Sequence, residues 1–248
     1  MNRILFEESE IKDGVVEFGG ARAAHVLGIL HAETGDRIKT GTIDGPVGCS
    51  EIIATSLPGE EPRVAARVSH ASESAKPWID LILAPPRPRA MKRLLPQLAA
   101  MGVGRIVLVG AKKVEKDFWG ATLLKEENLR PLLVDGLMQA GTSILPQVVT
   151  RRNFRRFLDG ELDGMFPRGP RIVAHPYSKS KVSSPAPGCR LLLAIGPEGG
   201  WTEDELDLLE GKGFAGFSLG PRILRTETAA VALLAVLGRT FDTAAADI

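Results

Sequence analysis

Leu191-Leu192-Leu193-Ala194-Ile195 runs without a polar residue into Gly196-Pro197-Glu198-Gly199-Gly200, and Trp201-Thr202-Glu203-Asp204-Glu205 follows at once. An apolar run of this kind suits a central strand covered on both faces, since a half-exposed strand alternates apolar with polar residues. Thr202 and Glu205 have the spacing of a capping box, in which each side chain satisfies a free amide of the first helical turn. The stretch therefore predicts strand, tight loop and helix in direct succession. The succession recurs downstream, where Phe217-Ser218-Leu219 predicts a short strand, Gly220-Pro221-Arg222-Ile223-Leu224-Arg225 a loop, and Thr226 the cap of a final helix through Gly238. Glycine admits close backbone approach, so two such loops predict one small-molecule site at two strand ends.

Working outward, the preceding residues alternate between strand and helix patterns. Strands are predicted at 78–84, 105–109, 147–150, 171–174 and 190–195, and helices at 89–100, 123–140 and 153–162, the first despite Pro96. Alternation of this kind predicts an α/β domain with a parallel sheet and helices on its faces. Residues 1–70 read differently: 14–18, 36–40 and 64–68 are strand-like, Gly19-Gly20, Asp44-Gly45 and Pro58-Gly59 supply turns, and one short helix fits near Arg22 to Leu30. A small β-barrel fits this pattern. Residues 71–77 are polar and small and form the expected linker, leaving 78–248 as the α/β domain.

With 44% hydrophobic and 25% charged residues, the composition is that of a soluble globular protein. Met1 to Glu8 lack the apolar stretch of a secretory signal, so a cytoplasmic location is expected. The longest apolar stretch, Ala229 to Gly238, is too short to span a bilayer. Cys49 and Cys189, with His25, His31, His70 and His175, show no metal-ligand spacing, so no metal is expected. A net charge of +1 conceals segregation: residues 1–60 carry 5 Lys/Arg against 10 Asp/Glu, whereas residues 85–181 carry 18 against 8. The positive middle suits a polyanion such as nucleic acid, with ordinary solvated helix faces as the alternative. Neither glycine loop has the ending of a P-loop or the spacing of a dinucleotide fingerprint, which argues against an ATPase or a dehydrogenase. Backbone at two strand ends can instead hold an adenine ring and a ribose by hydrogen bonds.

Leu193 to Thr202, followed by Leu219-Gly220-Pro221-Arg222-Ile223-Leu224-Arg225-Thr226-Glu227-Thr228-Ala229, resembles the C-terminal signature of the bacterial 16S ribosomal RNA uridine N3-methyltransferases, which belong to the knotted SPOUT class. A small barrel ahead of an α/β domain also agrees with that family. Away from these strings the family's Glu-Leu-Gly-Val reads Ala100-Met101-Gly102-Val103, and its Glu-Gln reads Met138-Gln139. The resemblance implies a C-terminal trefoil knot, a PUA-like RNA-binding barrel, a homodimer, and 16S rRNA of the small ribosomal subunit as partner. It further implies S-adenosylmethionine among the knot loops, at Leu193, Ile195, Gly196, Pro197, Glu198, Gly199, Gly200, Leu219, Gly220, Ile223, Leu224 and Thr226. A non-catalytic RNA-binding or ribosome-assembly protein that keeps the knot as a scaffold, or a methyltransferase acting at another RNA position, stays open.

Methylation at N3 of uracil requires loss of a weakly acidic proton, so the site must stabilise a developing anion or accept that proton. Arg225 is the expected anion-stabilising residue, with a salt bridge inside the knot as its alternative. Glu227, at a helix start, is the second catalytic candidate, and an ion pair with Arg225 or with a second subunit is its alternative. Glu198 reads more readily as an acceptor that stabilises its loop. The RNA footprint is expected at Arg87, Arg89, Lys92, Arg93, Lys112, Lys113, Arg151, Arg152, Arg155, Arg156 and Arg222. Phe6 and Phe18 read as core rather than as base-stacking residues. His175-Pro176-Tyr177-Ser178-Lys179 follows a strand and could border the substrate cleft or form an ordinary polar loop.

Overall fold

A computed structural model describes residues 2–57, 59–176, 178 and 189–245. The chain forms two compact units, Met1–Lys76 with Leu133–Leu145, and Pro77–Leu132 with Pro146–Ile248.

In the first unit, β1 (Ile4–Phe6), β2 (Ile11–Lys12), β3 (Val15–Gly19), α1 (Gly20–Gly28), β4 (Arg37–Thr42), β5 (Val47–Thr55) and β6 (Arg63–Ser72) follow in order. The strands form one sheet, β1-β4-β5-β6-β3-β2, in which β1 lies parallel to β4 and the remaining pairs are antiparallel. Phe6 and Phe18 meet at 5.1 Å between ring centroids in a core shared with Val16, Val26, Ile38 and Ile52, so both phenylalanines are core residues. Strand β5 escaped the sequence pattern because Gly48-Cys49-Ser50-Glu51 breaks the apolar alternation. Residues 133–145 are part of this unit: the backbone N–H groups of Asn2 and Arg3 both donate to Met138 O at 3.0 Å. The Arg3 guanidinium donates to the carbonyls of Gly141 (2.9 Å), Thr40 (2.6 Å) and Gly48 (2.9 Å).

In the second unit the order is β7 (Ile79–Leu83), α2 (Pro88–Ala100), β8 (Val103–Val109), α3 (Glu126–Ala140), β9 (Gln147–Arg151), α4 (Phe154–Gly160), α5 (Leu162–Met165), β10 (Arg171–Ala174), β11 (Leu191–Ile195), α6 (Glu203–Gly211), β12 (Phe214–Phe217) and α7 (Thr226–Ala245). From Leu133 onward α3 counts with the first unit. All neighbours in the sheet β12-β10-β11-β7-β8-β9 are parallel. Every residue of β7 and β11 is buried, as the unbroken apolar run of β11 predicts. The capping box of α6 is present, with Thr202 and Glu205 serving each other's first-turn amides.

Three expectations change. The helix expected over 153–162 is two, broken at Glu161, whose carboxylate accepts a 2.6 Å bond from Arg151 Nε. The strand expected at 217–219 is β12, which ends at Phe217. There Ser218 Oγ donates to Pro176 O (2.6 Å) and accepts from the Gly220 amide (3.1 Å), turning the chain into a loop. The linker expected at 71–77 begins inside β6, which runs to Ser72. In α7, Ala230, Leu233, Leu234 and Leu237 are buried, whereas Val236 is 46% exposed. Among the described residues no helix is long and apolar enough to cross a membrane.

Candidate active site

The carboxyl ends of β10, β11 and β12 surround a cleft of about 370 Å³, within the range of small-molecule sites, roughly 300–1,000 Å³. In a parallel sheet this is the edge where loops can converge on a ligand. The first glycine loop is a tight turn, closed by the Gly200 amide donating to Pro197 O at 2.8 Å. Gly200 has φ of 68°, a conformation that side-chain-bearing residues rarely adopt.

Neighbouring loops hold this turn from outside. Glu198 Oε1 accepts from the Arg87 amide (3.0 Å), which makes Glu198 a loop-fixing acceptor. Lys113 Nζ donates to Gly199 O at 2.7 Å, and its stem crosses the same glycine so closely that a Cβ on Gly199 would lie 2.9 Å from Lys113 Cδ. The buried Glu205 carboxylate accepts from the Lys112 amide (2.7 Å) and the Thr202 amide (2.9 Å), which ties the start of α6 to the loop after β8. The second loop reaches the first through Thr226 Oγ1, which donates to Gly196 O at 3.3 Å. Trp201 stacks on Phe154 at 5.2 Å, and its pyrrole edge lies where a Cβ on Gly196 would be, 3.2 Å away. Its buried Nε1–H has no partner among the described residues.

Of the positions expected around a cofactor, Ile195, Gly196, Pro197, Glu198, Gly199, Gly200, Leu219, Gly220, Ile223, Leu224 and Thr226 line the cleft. Leu193 does not; it is fully buried within β11. Arg222, placed by the sequence pattern in the RNA footprint, lines the cleft as well. His175 and Pro176 also line it, whereas Tyr177 and Lys179 lie outside the described residues. Trp201, Phe217 and Leu233 are wall residues that sequence reasoning missed, because apolar residues beside a strand end look the same in the core and in a cleft.

Arg225 is exposed, stands between the wall residues Leu224 and Thr226, and has no side-chain partner among the described residues. Glu227 does not pair with it; its carboxylate lies 3.6 Å from Arg93 on α2. Several footprint residues already have partners: Arg87 Nε donates to Glu115 (2.9 Å), Arg151 to Glu161 and Lys113 to Gly199. Arg89, Lys92, Lys112, Arg152, Arg155 and Arg156 are exposed on the second unit.

The parallel sheet and a cleft walled by two glycine loops define an RNA methyltransferase domain, and the family model of that description matches residues 73–238. Ribosomal RNA small subunit methyltransferase E of Treponema pallidum is 32% identical over 243 residues, covering 96% of this chain and 90% of that protein. Ribosomal RNA small subunit methyltransferase E 1 of Borreliella burgdorferi is 25% identical, covering 94% and 95%. The chain belongs to the ribosomal RNA small subunit methyltransferase E family. The same fold is seen in the enzyme of that name from Neisseria gonorrhoeae, solved bound to S-adenosyl methionine, with a TM-score of 0.74, 23% identity and coverage of 97% and 98%.

Proposed function

We propose that this protein transfers a methyl group from S-adenosylmethionine to N3 of a uridine in the 16S rRNA of the small ribosomal subunit. The observation that carries this reading is the convergence of both signature loops on one cleft, in a chain of this family. The cleft fits the cofactor's chemistry. Turn backbone from Gly196 to Gly200 offers hydrogen bonds, Leu219, Ile223 and Leu224 offer partly exposed apolar surface for a purine ring, and the unpartnered Trp201 Nε1–H marks a polar group at the wall. When bound, S-adenosylmethionine supplies a methyl group made electrophilic by its sulfonium.

The protein's own residues must then prepare the nucleophile. N3–CH3 forms as the bond from the methyl group to the sulfonium sulfur breaks, the N3 proton leaves to solvent water, and charge that develops on the ring is stabilised by a donor aimed at it. Arg225 takes that role, because it lies in the chain between the wall residues Leu224 and Thr226, although it does not itself line the cleft, and its guanidinium has no competing partner among the described residues. Glu227 is held by Arg93 and serves to fix the start of α7 next to Arg225. Glu198, committed to the Arg87 amide, acts within the cofactor loop rather than on the proton.

The finer architecture belongs to the same reading. Residues 1–70, joined by 133–145, act as a PUA-like RNA-binding barrel, the rest of 71–77 beyond the end of β6 at Ser72 as linker, and 78–248 apart from 133–145 as the catalytic domain. A trefoil knot is supported by the family resemblance of the two loop strings alone. A homodimer is supported by Val236, a large apolar residue 46% exposed on α7, where Leu233 and Leu237 are buried. The test is incubation with labelled S-adenosylmethionine and unmethylated small subunits, followed by mass spectrometry of the modified nucleotide. Label on a cytidine or a ribose oxygen would reject the N3 assignment, and no transfer to any RNA would favour a binding protein.

A further inference from the structure

We propose that Trp119 and Arg152 form a shelf on which an unpaired base of the RNA stacks, a short way along the strand from the methylated uridine. This rests on the RNA methyltransferase reading above. Trp119 lies in the loop that follows β8, and Arg152 immediately follows β9. The Arg152 guanidinium sits 5.7 Å from the centroid of the Trp119 ring, and its Nη2 donates to the Trp119 carbonyl at 3.1 Å. Ring and guanidinium are therefore held together before any ligand arrives. Phe118, buried beneath, meets Trp119 edge-on at 5.3 Å and 89°, which fixes the ring from its inner side.

Exposure separates this pair from the other arginine–aromatic contacts. Arg22, Arg105 and Arg171 stack on Phe6, Phe18, Phe166 and Phe214, all buried rings that do core work. Trp119 is only partly buried and Arg152 is exposed, and among the described residues Arg152 faces no carboxylate. A surface indole beside an uncompensated planar cation is a poor packing solution but a good one for a nucleobase. Unpaired bases stack on aromatic rings and guanidinium planes, and a nearby positive field follows the backbone. The segment leading to Trp119 carries exposed Lys112 and Lys116 with Glu115, which is paired with Arg87, and Asp117, and Arg155 follows Arg152 on α4.

Position determines which base is served. The cleft opens at the end of β11, while the shelf stands at the ends of β8 and β9, with β7 between. Neighbouring strands lie about 4.8 Å apart, so β11 and β9 are separated by roughly 14 Å. That distance is too great for the reacting uracil and suits a flanking nucleotide.

The test uses a fluorescein-labelled single-stranded oligouridylate and the matching oligomer lacking its bases, with binding read by anisotropy. Trp119→Ala should weaken oligouridylate binding roughly ten- to hundredfold, leave the slope of affinity against salt unchanged because no phosphate contact is lost, and leave binding of the baseless oligomer as in the wild type. Trp119→Phe, which keeps an aromatic face, should recover most of the loss, and thermal unfolding of both variants reports any damage to the fold. Equal oligouridylate affinity for wild type and Trp119→Ala would overturn the proposal, as would an equal loss toward the baseless oligomer. Calorimetry of S-adenosylmethionine binding keeps the two readings apart: its failure in the wild type would reject the enzyme, whereas normal cofactor binding with an unaffected Trp119→Ala would reject only the shelf.

Discussion

On the proposed reading Arg225 is available for chemistry because its side chain has no partner among the described residues. Its neighbours Leu224 and Thr226 belong to the cleft wall, while Glu227, the carboxylate nearest in sequence, is taken by Arg93. Arg225→Ala is expected to lower kcat about 10²-fold or more with little change in RNA affinity, because the lost donor acts on charge that exists only in the transition state. Normal turnover by a folded Arg225→Ala protein would remove it from the mechanism. Asp80 makes a contrasting case. Burial within β7 pushes its carboxyl above the usual carboxylate range, partly opposed by Arg190 at 3.2 Å, close enough for ion pairing but not aligned as a hydrogen bond. A raised carboxyl favours the folded state at low pH, and that advantage fades as pH rises through the folded value. Asp80→Asn should therefore gain stability relative to wild type between pH 4 and pH 8, a trend that urea unfolding at both ends would detect; a constant difference would contradict it.

At the scale of elements, the Gly196–Gly200 turn keeps its shape because the loops after β7 and β8 both grip it. Gly199→Ala should displace the Lys113 stem and weaken S-adenosylmethionine binding several-fold, if, as proposed, the backbone of this turn holds the cofactor. In a Lys113→Ala background the same substitution should cost much less, and an equal cost in both backgrounds would show that the crossing stem is not the cause. The turn, its strand and its capped helix were legible in the sequence because each carries a local signature: an apolar run, glycines and the Thr202–Glu205 spacing. Nearly all wall residues expected from the two strings line the cleft; Leu193 fails because a strand residue two positions earlier is enclosed by its own sheet. The Arg93–Glu227 and Lys113–Gly199 contacts were not legible. Each joins residues distant in the chain, and nothing in the local pattern of either partner points to the other.

For the whole molecule, charge and exposed apolar surface are where the proposed RNA binding and dimer can be tested. Arg155 and Arg156 are exposed on α4, so replacing both with alanine should weaken RNA binding and flatten its salt dependence. An unchanged slope would exclude them from the footprint. Homodimer formation should depend on Val236, whose substitution by Asp puts charge on an exposed helical face without opening the core. Light scattering should show a dimeric wild type and a monomeric, still folded Val236→Asp, and a wild type that is monomeric and active would defeat the dimer. Leu233, equally apolar in sequence, is buried against the cleft and would report on folding instead.

The three carbonyls gathered by Arg3 set a timetable for biosynthesis. Two of them, on Thr40 and Gly48, leave the ribosome soon after Arg3, but Gly141, and Met138, whose carbonyl receives the amides of Asn2 and Arg3, follow much later. Asn2 and Arg3 must therefore wait, their donors served by water, for a distant segment. A fragment cut after residue 76 would never receive it.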